Sequence, residues 1–261
     1  MKSFWNFLKK NKIYGAVNLI GLTVSMAFVL LLAVYVQRQL STDSFQKNAD
    51  RIYVCANEMT ISSAYWLDKH LKDSFPEIEK STCVGIISTA WAFHLGNELV
   101  YGRTMAADSS FFDIFSYELA AGSRADWKLS WDRCMVSEKF ANAHFDGRDP
   151  IGQQLVAEEV GMTPLTVCGV FKDFGNSVFV SPDVLVRGEI IMPRWNPSHD
   201  EGMNNAGAGV CVLMSPPGVD LRDKHDEILQ WCETNYWTYQ STFDEVRLIP
   251  LRDLYFLKGW V

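Results

Sequence analysis

Between Ile13 and Val36 the chain runs IYGAVNLIGLTVSMAFVLLLAVYV without a single charged residue. Wound as a helix at about 1.5 Å per residue, this stretch is roughly 36 Å long, enough to cross a hydrocarbon core of about 30 Å with some tilt. Its clearly polar side chains are Asn18, Thr23 and Ser25, and a hydroxyl in such a helix bonds back to the preceding turn. Gly15 and Gly21 are poor residues for a soluble helix but common in membrane helices. A secretory signal would have a shorter apolar region of about 7–15 residues and a small-x-small cleavage site, which Ala33-Val34-Tyr35-Val36-Gln37 does not offer. The expectation is a membrane anchor over residues 13–40.

Charge orients that anchor. Lys2, Lys9, Lys10 and Lys12 precede it with no acid among them, and Arg38 and Asp43 follow it. The positive-inside rule then puts residues 1–12 in the cytoplasm and the remainder on the far side of the membrane. Within residues 1–12, Phe4, Trp5, Phe7 and Leu8 alternate with the lysines, as in an interfacial lead-in. The net charge is −7, and because the first 38 residues are basic, residues 39–261 carry −12. An acidic exterior without a basic, aromatic-rich patch excludes a nucleic-acid partner and argues against a lipid-surface domain.

Residues 41–261 are enough for one large domain or two small ones. The pattern gives a strand at 51–56, a helix at 62–75 stopped by Pro76, strands at 82–93 and 99–105 around a Gly96-Asn97 turn, and a helix within 109–122. Residues 123–132 read as loop, and Ser137 caps a short helix. Residues 153–186 are strand-rich, and 194–209 form a polar connection. A strand at 210–214, a helix from 221 to about 237 and a last strand at 245–250 complete the order. The fold class expected is α+β: one N-terminal transmembrane helix, then a domain on the far side of the membrane whose β-α-β units are interrupted by a β-rich insert.

Chemistry is sparse. Cys55, Cys83, Cys134, Cys168, Cys211 and Cys232 form no C-x-x-C pair. Disulfides are permitted outside the cytoplasm, but Cys55, Cys83, Cys168 and Cys211 sit in apolar strand-like runs and read as buried thiols. His70, His94, His144, His199 and His225 are scattered, with no i, i+4 pair for a metal. Asp223, Asp226 and Glu227 lack calcium-loop spacing and read as a solvated helix face. Ser137-Glu138-Lys139 is not the S-x-x-K pattern, and no G-x-S-x-G, P-loop or H-E-x-x-H occurs. Trp66, Trp91, Trp131, Trp195 and Trp237 read as core or lobe-interface residues rather than sugar platforms. No catalytic, cofactor-binding or metal residue is assigned, and no enzyme is expected.

Several segments carry a family resemblance. They are the membrane helix with Asn18-Leu19-Ile20-Gly21-Leu22, then DSFQKNADRIYVC after it, FFDIFSYELAAG (111–122), MVSEKFANAHFDGRDPIGQQL (135–155), LTVCGVFKDF (165–174) and LIPLRDLYF (248–256). In order and over nearly the whole chain, they resemble permeases of the MacB/FtsX type of ABC transporter, in the form common in Bacteroidetes. The resemblance implies an inner-membrane protein with its main domain in the periplasm. It implies a ferredoxin-like porter lobe in two parts, 41–122 and 206–261, split by an inserted lobe at 123–205. The implied function is non-catalytic: coupling the motion of a separate ABC ATPase to efflux of a substrate or control of an envelope partner. The implied partners are the bilayer, that ATPase, a second permease chain as dimer partner and a periplasmic adaptor protein. Val261 falls where a second membrane helix is due, so the chain reads as a fragment, a truncated product or a stand-alone relative. The competing reading is an anchored sensor or interaction module without an ATPase.

Overall fold

A computed structural model describes residues 10, 12–191 and 209–257, with backbone only for 86–89. The interfacial lead-in (Phe4, Trp5, Phe7, Leu8), His199, Trp195 and nearly all of the 194–209 connection lie outside the described residues. The chain divides into two units, residues 1–42 and 43–261.

The first unit is helix α1, Lys12–Leu40, 29 residues and roughly 44 Å long. It is apolar around its whole circumference and none of its residues is buried, as a helix solvated by lipid requires. Thr23 Oγ1 donates to Leu19 O at 2.7 Å, the back-bond expected for a hydroxyl with no water to serve it.

The second unit is built on ten strands: β1 (Ile52–Ala56), β2 (Lys80–Leu95), β3 (Glu98–Ala107), β4 (Leu119–Gly122), β5 (Arg133–Ser137), β6 (Gln154–Ala157), β7 (Thr163–Phe171), β8 (Val184–Arg187), β9 (Val210–Met214) and β10 (Arg247–Pro250). Between them lie α2 (Leu67–Ser74), α3 (Phe111–Ile114), α4 (Arg124–Leu129), α5 (Glu138–His144), α6 (His225–Asn235) and α7 (Trp237–Ser241), and α8 (Leu251–Leu254) follows β10. The sheet order is β10-β1-β9-β2-β3-β8-β5-β7-β4, with β6 beside β2 and β7. The fold is thus α+β, an apolar helix followed by a β-rich domain.

Half of the sheet, β10-β1-β9-β2, has only antiparallel neighbours and alternates strands from the two ends of the domain, so a β-α-β unit from each end interlocks into the order of a ferredoxin-like lobe. Strand β2 is the hinge of the whole arrangement. Its first part, Lys80–Val84, pairs with β9; β3 pairs with the strand along Val84–Ile86 and again in its second part, from Ala90, and β6 pairs with Phe93 and His94. A register irregularity between Ile86 and Ala90 separates the two parts. One core lies under α2 and α6, with Tyr53, Cys55, Leu71, Cys211 and Ile228. A second fills the opposite face with Val54, Val212, Phe111 and Phe115. A third, around Phe93, Phe140, Leu155 and Val186, serves the remaining strands.

Four sequence expectations change. Residues 109–122 hold only the single turn α3 and then β4. Phe111, Phe112, Ile114 and Phe115 are all buried, so no face is left for solvent and the segment turns into the sheet beside β7. Loop 123–132 contains α4, capped by Ser123, whose side chain accepts from Ala125 N, and anchored by fully buried Trp127. The helix expected from residue 62 starts at Leu67, because Ser63 exchanges backbone hydrogen bonds with Gly209. The helix expected over 221–237 opens with a 3₁₀ turn and breaks at extended Tyr236. Gly122 ends β4 rather than a helix. Its φ is +85°, and a Cβ there would meet Cys168 O at 2.4 Å. Gly122→Ala is therefore expected to cost about 2–4 kcal/mol, read as a lower urea midpoint at unchanged m-value.

Candidate functional site

The described histidines and helix acids singled out for chemistry do not converge on one site. His70 Nδ1 lies 2.6 Å from Tyr236 OH, His94 Nε2 lies 2.6 Å from Glu158 Oε1, His144 packs on Phe140, and His225 Nε2 lies 3.0 Å from Asp226. Among the described residues, no group of three or more His, Cys, Asp and Glu is arranged to hold a metal ion. Asp223, Asp226 and Glu227 are exposed, and Glu227 pairs with Lys224. Ser137 is the cap of α5, accepting from Phe140 N. Asp149-Pro150-Ile151-Gly152 is a turn in which Asp149 Oδ1 accepts from Ile151 N. Trp91 is buried and Trp66 half-buried, whereas Trp131 and Trp237 are exposed.

What the fold does assemble is a socket for the residues that follow α1. Asp43 has no exposed surface and a φ of 55°. Its N–H donates to Asn176 O (2.8 Å), its Oδ1 accepts from Ser177 Oγ (2.6 Å) and its Oδ2 from Val178 N (2.9 Å). Burial pushes its carboxyl above the usual range, while these donors pull it back down. Gln46 Oε1 accepts from Ser116 N at 2.6 Å, and Ser116 Oγ accepts in turn from Lys47 N. Beneath them lies an aromatic cluster. Tyr117 stacks on Phe174 at 3.8 Å, touches Phe111 and Phe115, and bonds through its hydroxyl to Ser177. The aromatic segments FFDIFSY and KDF, far apart in sequence, meet here.

The last described residues dock on the same core. Leu251 and Leu254 of α8 join the cluster containing Phe111, Phe115 and Tyr117. Arg252 Nε reaches Asp50 Oδ1 at 2.7 Å, and β10 lies beside β1. That ion pair is exposed and contributes little by itself. It does mark how close the two ends of the domain come. In the sequence Asp43 stands out only as the first acid after the span. The available signal was the DSFQ run directly after the span, polar residues with caps to make and nothing helical to cap.

The comparisons follow that geometry. The sequence profile of the MacB-like periplasmic core domain matches residues 16–228. The chain belongs to that family. No curated protein matches it in sequence. Among solved structures, it resembles a domain assigned to a permease protein from Porphyromonas gingivalis, with TM-score 0.65 and 21% identity over 78% of this chain and 92% of that one. It also resembles the periplasmic region of MacB from Actinobacillus actinomycetemcomitans, with TM-score 0.56 and 12% identity over 79% of this chain and 91% of that one. A third is the extracellular domain of the noncanonic ABC-type transporter YknZ from Gram-positive bacteria, with TM-score 0.54 and 13% identity over 76% and 99%. At these identities the structures speak for the fold. The MacB-like domain is thus a periplasmic domain of ABC permease-type proteins, here preceded by an apolar helix long enough to anchor it.

Proposed function

We propose that this MacB-like domain is a non-catalytic mechanical element of an ABC permease. It receives the motion that a separate ATPase imposes on the membrane helices and passes it to a substrate or envelope partner. The observation that carries this reading is the socket: Asp43 and Gln46 tie the start of the domain, and α8 ties its end, into one aromatic core. A displacement of either end is then transmitted to the sheet rather than absorbed by a slack linker. Residues 1–12 face the cytoplasm, following the lysine asymmetry. The porter lobe comprises 41–122 and 206–261, the insert 123–205, with β2 running through both sheet halves. A second permease chain and a periplasmic adaptor complete the assembly.

The test is a gentle-detergent pull-down from native membranes using a C-terminal tag. Recovery of an ABC ATPase with a second permease chain is the expected result. Recovery of the folded, anchored chain alone would overturn the reading in favour of a sensor or interaction module.

A further inference from the structure

All six cysteines are buried with free thiols. They are not equivalent. Cys55 on β1 and Cys211 on β9 face each other directly across an antiparallel pair, both on the α2/α6 side of the sheet. Residues opposed in this way have Cα atoms about 4.5–5.5 Å apart, inside the 4.4–6.8 Å range that a disulfide spans.

Cys211 also faces Cys83 of β2 on its other side. The Cys83 sulfur, however, lies over Gly209, where a Cβ would meet it at 2.3 Å, so it is turned along the strand. Cys232 approaches from α6 in the same core. Of the three neighbours, Cys55 combines direct opposition with a place in the same core cluster as Cys211, while Cys83 packs in a separate one with Tyr65.

We infer that Cys55 and Cys211 are a redox site, closing to a cross-strand disulfide by exchange with an oxidised protein dithiol or oxidised glutathione. Each thiol gives up a proton and the pair gives up two electrons. One S–S bond forms as the carrier's disulfide opens to two thiols. The bond would staple strands that lie 156 positions apart in sequence, the start of the first β-α-β unit and the start of the second. Both strands are interior to the sheet, and burial pushes the Cys211 thiol well up, so the closed domain presents almost no thiolate to an oxidant. Exchange therefore occurs while β1 and β9 are pairing or locally open. Its occurrence in the cell rests on the periplasmic placement proposed above, since only an oxidising compartment sustains such a bond.

The experiment uses the full chain in detergent, reduced and then incubated with oxidised glutathione in mild urea, trapped with a maleimide and digested without reduction. The expected result is one cross-linked peptide joining Cys55 and Cys211, with the other four of the six cysteines alkylated. Cys211→Ala should abolish the link and Cys232→Ala should leave it. Reduction should lower the midpoint of thermal unfolding by several degrees. A link from Cys211 to Cys83 or Cys232, or six alkylated thiols, would overturn the inference. Maleimide trapping in intact cells separates the two ideas. A link that forms with glutathione but not in cells upholds the pairing and overturns the periplasmic placement.

Discussion

Replacing Asp68 with Asn is expected to remove a loss of stability that the native protein shows between about pH 5 and pH 8. Asp68, at the start of α2, has no exposed surface, and burial with the nearby Asp108 pushes its carboxyl from 3.8 to about 8. Ser81 Oγ donates to Oδ2 at 3.0 Å, while Oδ1 has no hydrogen-bond partner among the described residues, an arrangement tolerable on a neutral acid and costly on an anion. Asp108 repeats it across β2, with Thr82 and Ser110 serving Oδ1 and no described residue serving Oδ2. The folded state binds these protons more tightly than the unfolded chain does. The Asp68 contribution is therefore fully present below about pH 4 and is lost as pH rises through its folded pKa near 8, and burial shifts Asp108 in the same direction. Asn cannot titrate, and its carbonyl still accepts from Ser81. Between pH 5 and pH 8 the stability of Asp68→Asn relative to the native chain should rise by about 2–4 kcal/mol. Urea unfolding of both proteins at several pH values, followed by tryptophan fluorescence, checks this. Parallel pH profiles would mean that Asp68 is ionised in the fold.

The second large effect is at the socket. Asp43→Ala removes two acceptors, leaves the buried Val178 N–H without its partner and puts a residue less tolerant of the left-handed region at a φ of 55°. The expected loss is about 3 kcal/mol. Asp43→Asn keeps one acceptor and the left-handed preference and should lose about 1 kcal/mol. The difference between these variants separates the carboxyl's hydrogen bonds from backbone strain. Equal losses would mean that the socket does not depend on them.

Much of the fold is legible locally. The uncharged run of α1, the β-branched run Ile52–Ala56, the cap at Ser137 and the strand Val210–Met214 each follow from nearest-neighbour chemistry. What is not legible is set by distant partners. Residues Leu119–Gly122 become a strand because β7 is there to pair with them, and Trp127 anchors α4 because Asp108 O accepts from its indole at 3.0 Å. The socket is hidden for the same reason. Asp43 meets Val178, and Gln46 meets Ser116, across more than sixty positions, so neither acceptor betrays its donor in the sequence. The exposed Trp131 and Trp237 show that aromatic character alone does not place a side chain inside.

The most direct measurement of the central claim is native-state hydrogen exchange on the full chain in detergent, read at the amides of Asp43, Gln46, Ala49 and Leu257. If the ends of the domain are held in its core, the first three should exchange with the free energy of global unfolding, as β1 does, and Leu257 should be slowed with them. Exchange at near-intrinsic rates for residues 43–49, with β1 still protected, would make the segment a slack tether and contradict a mechanical role.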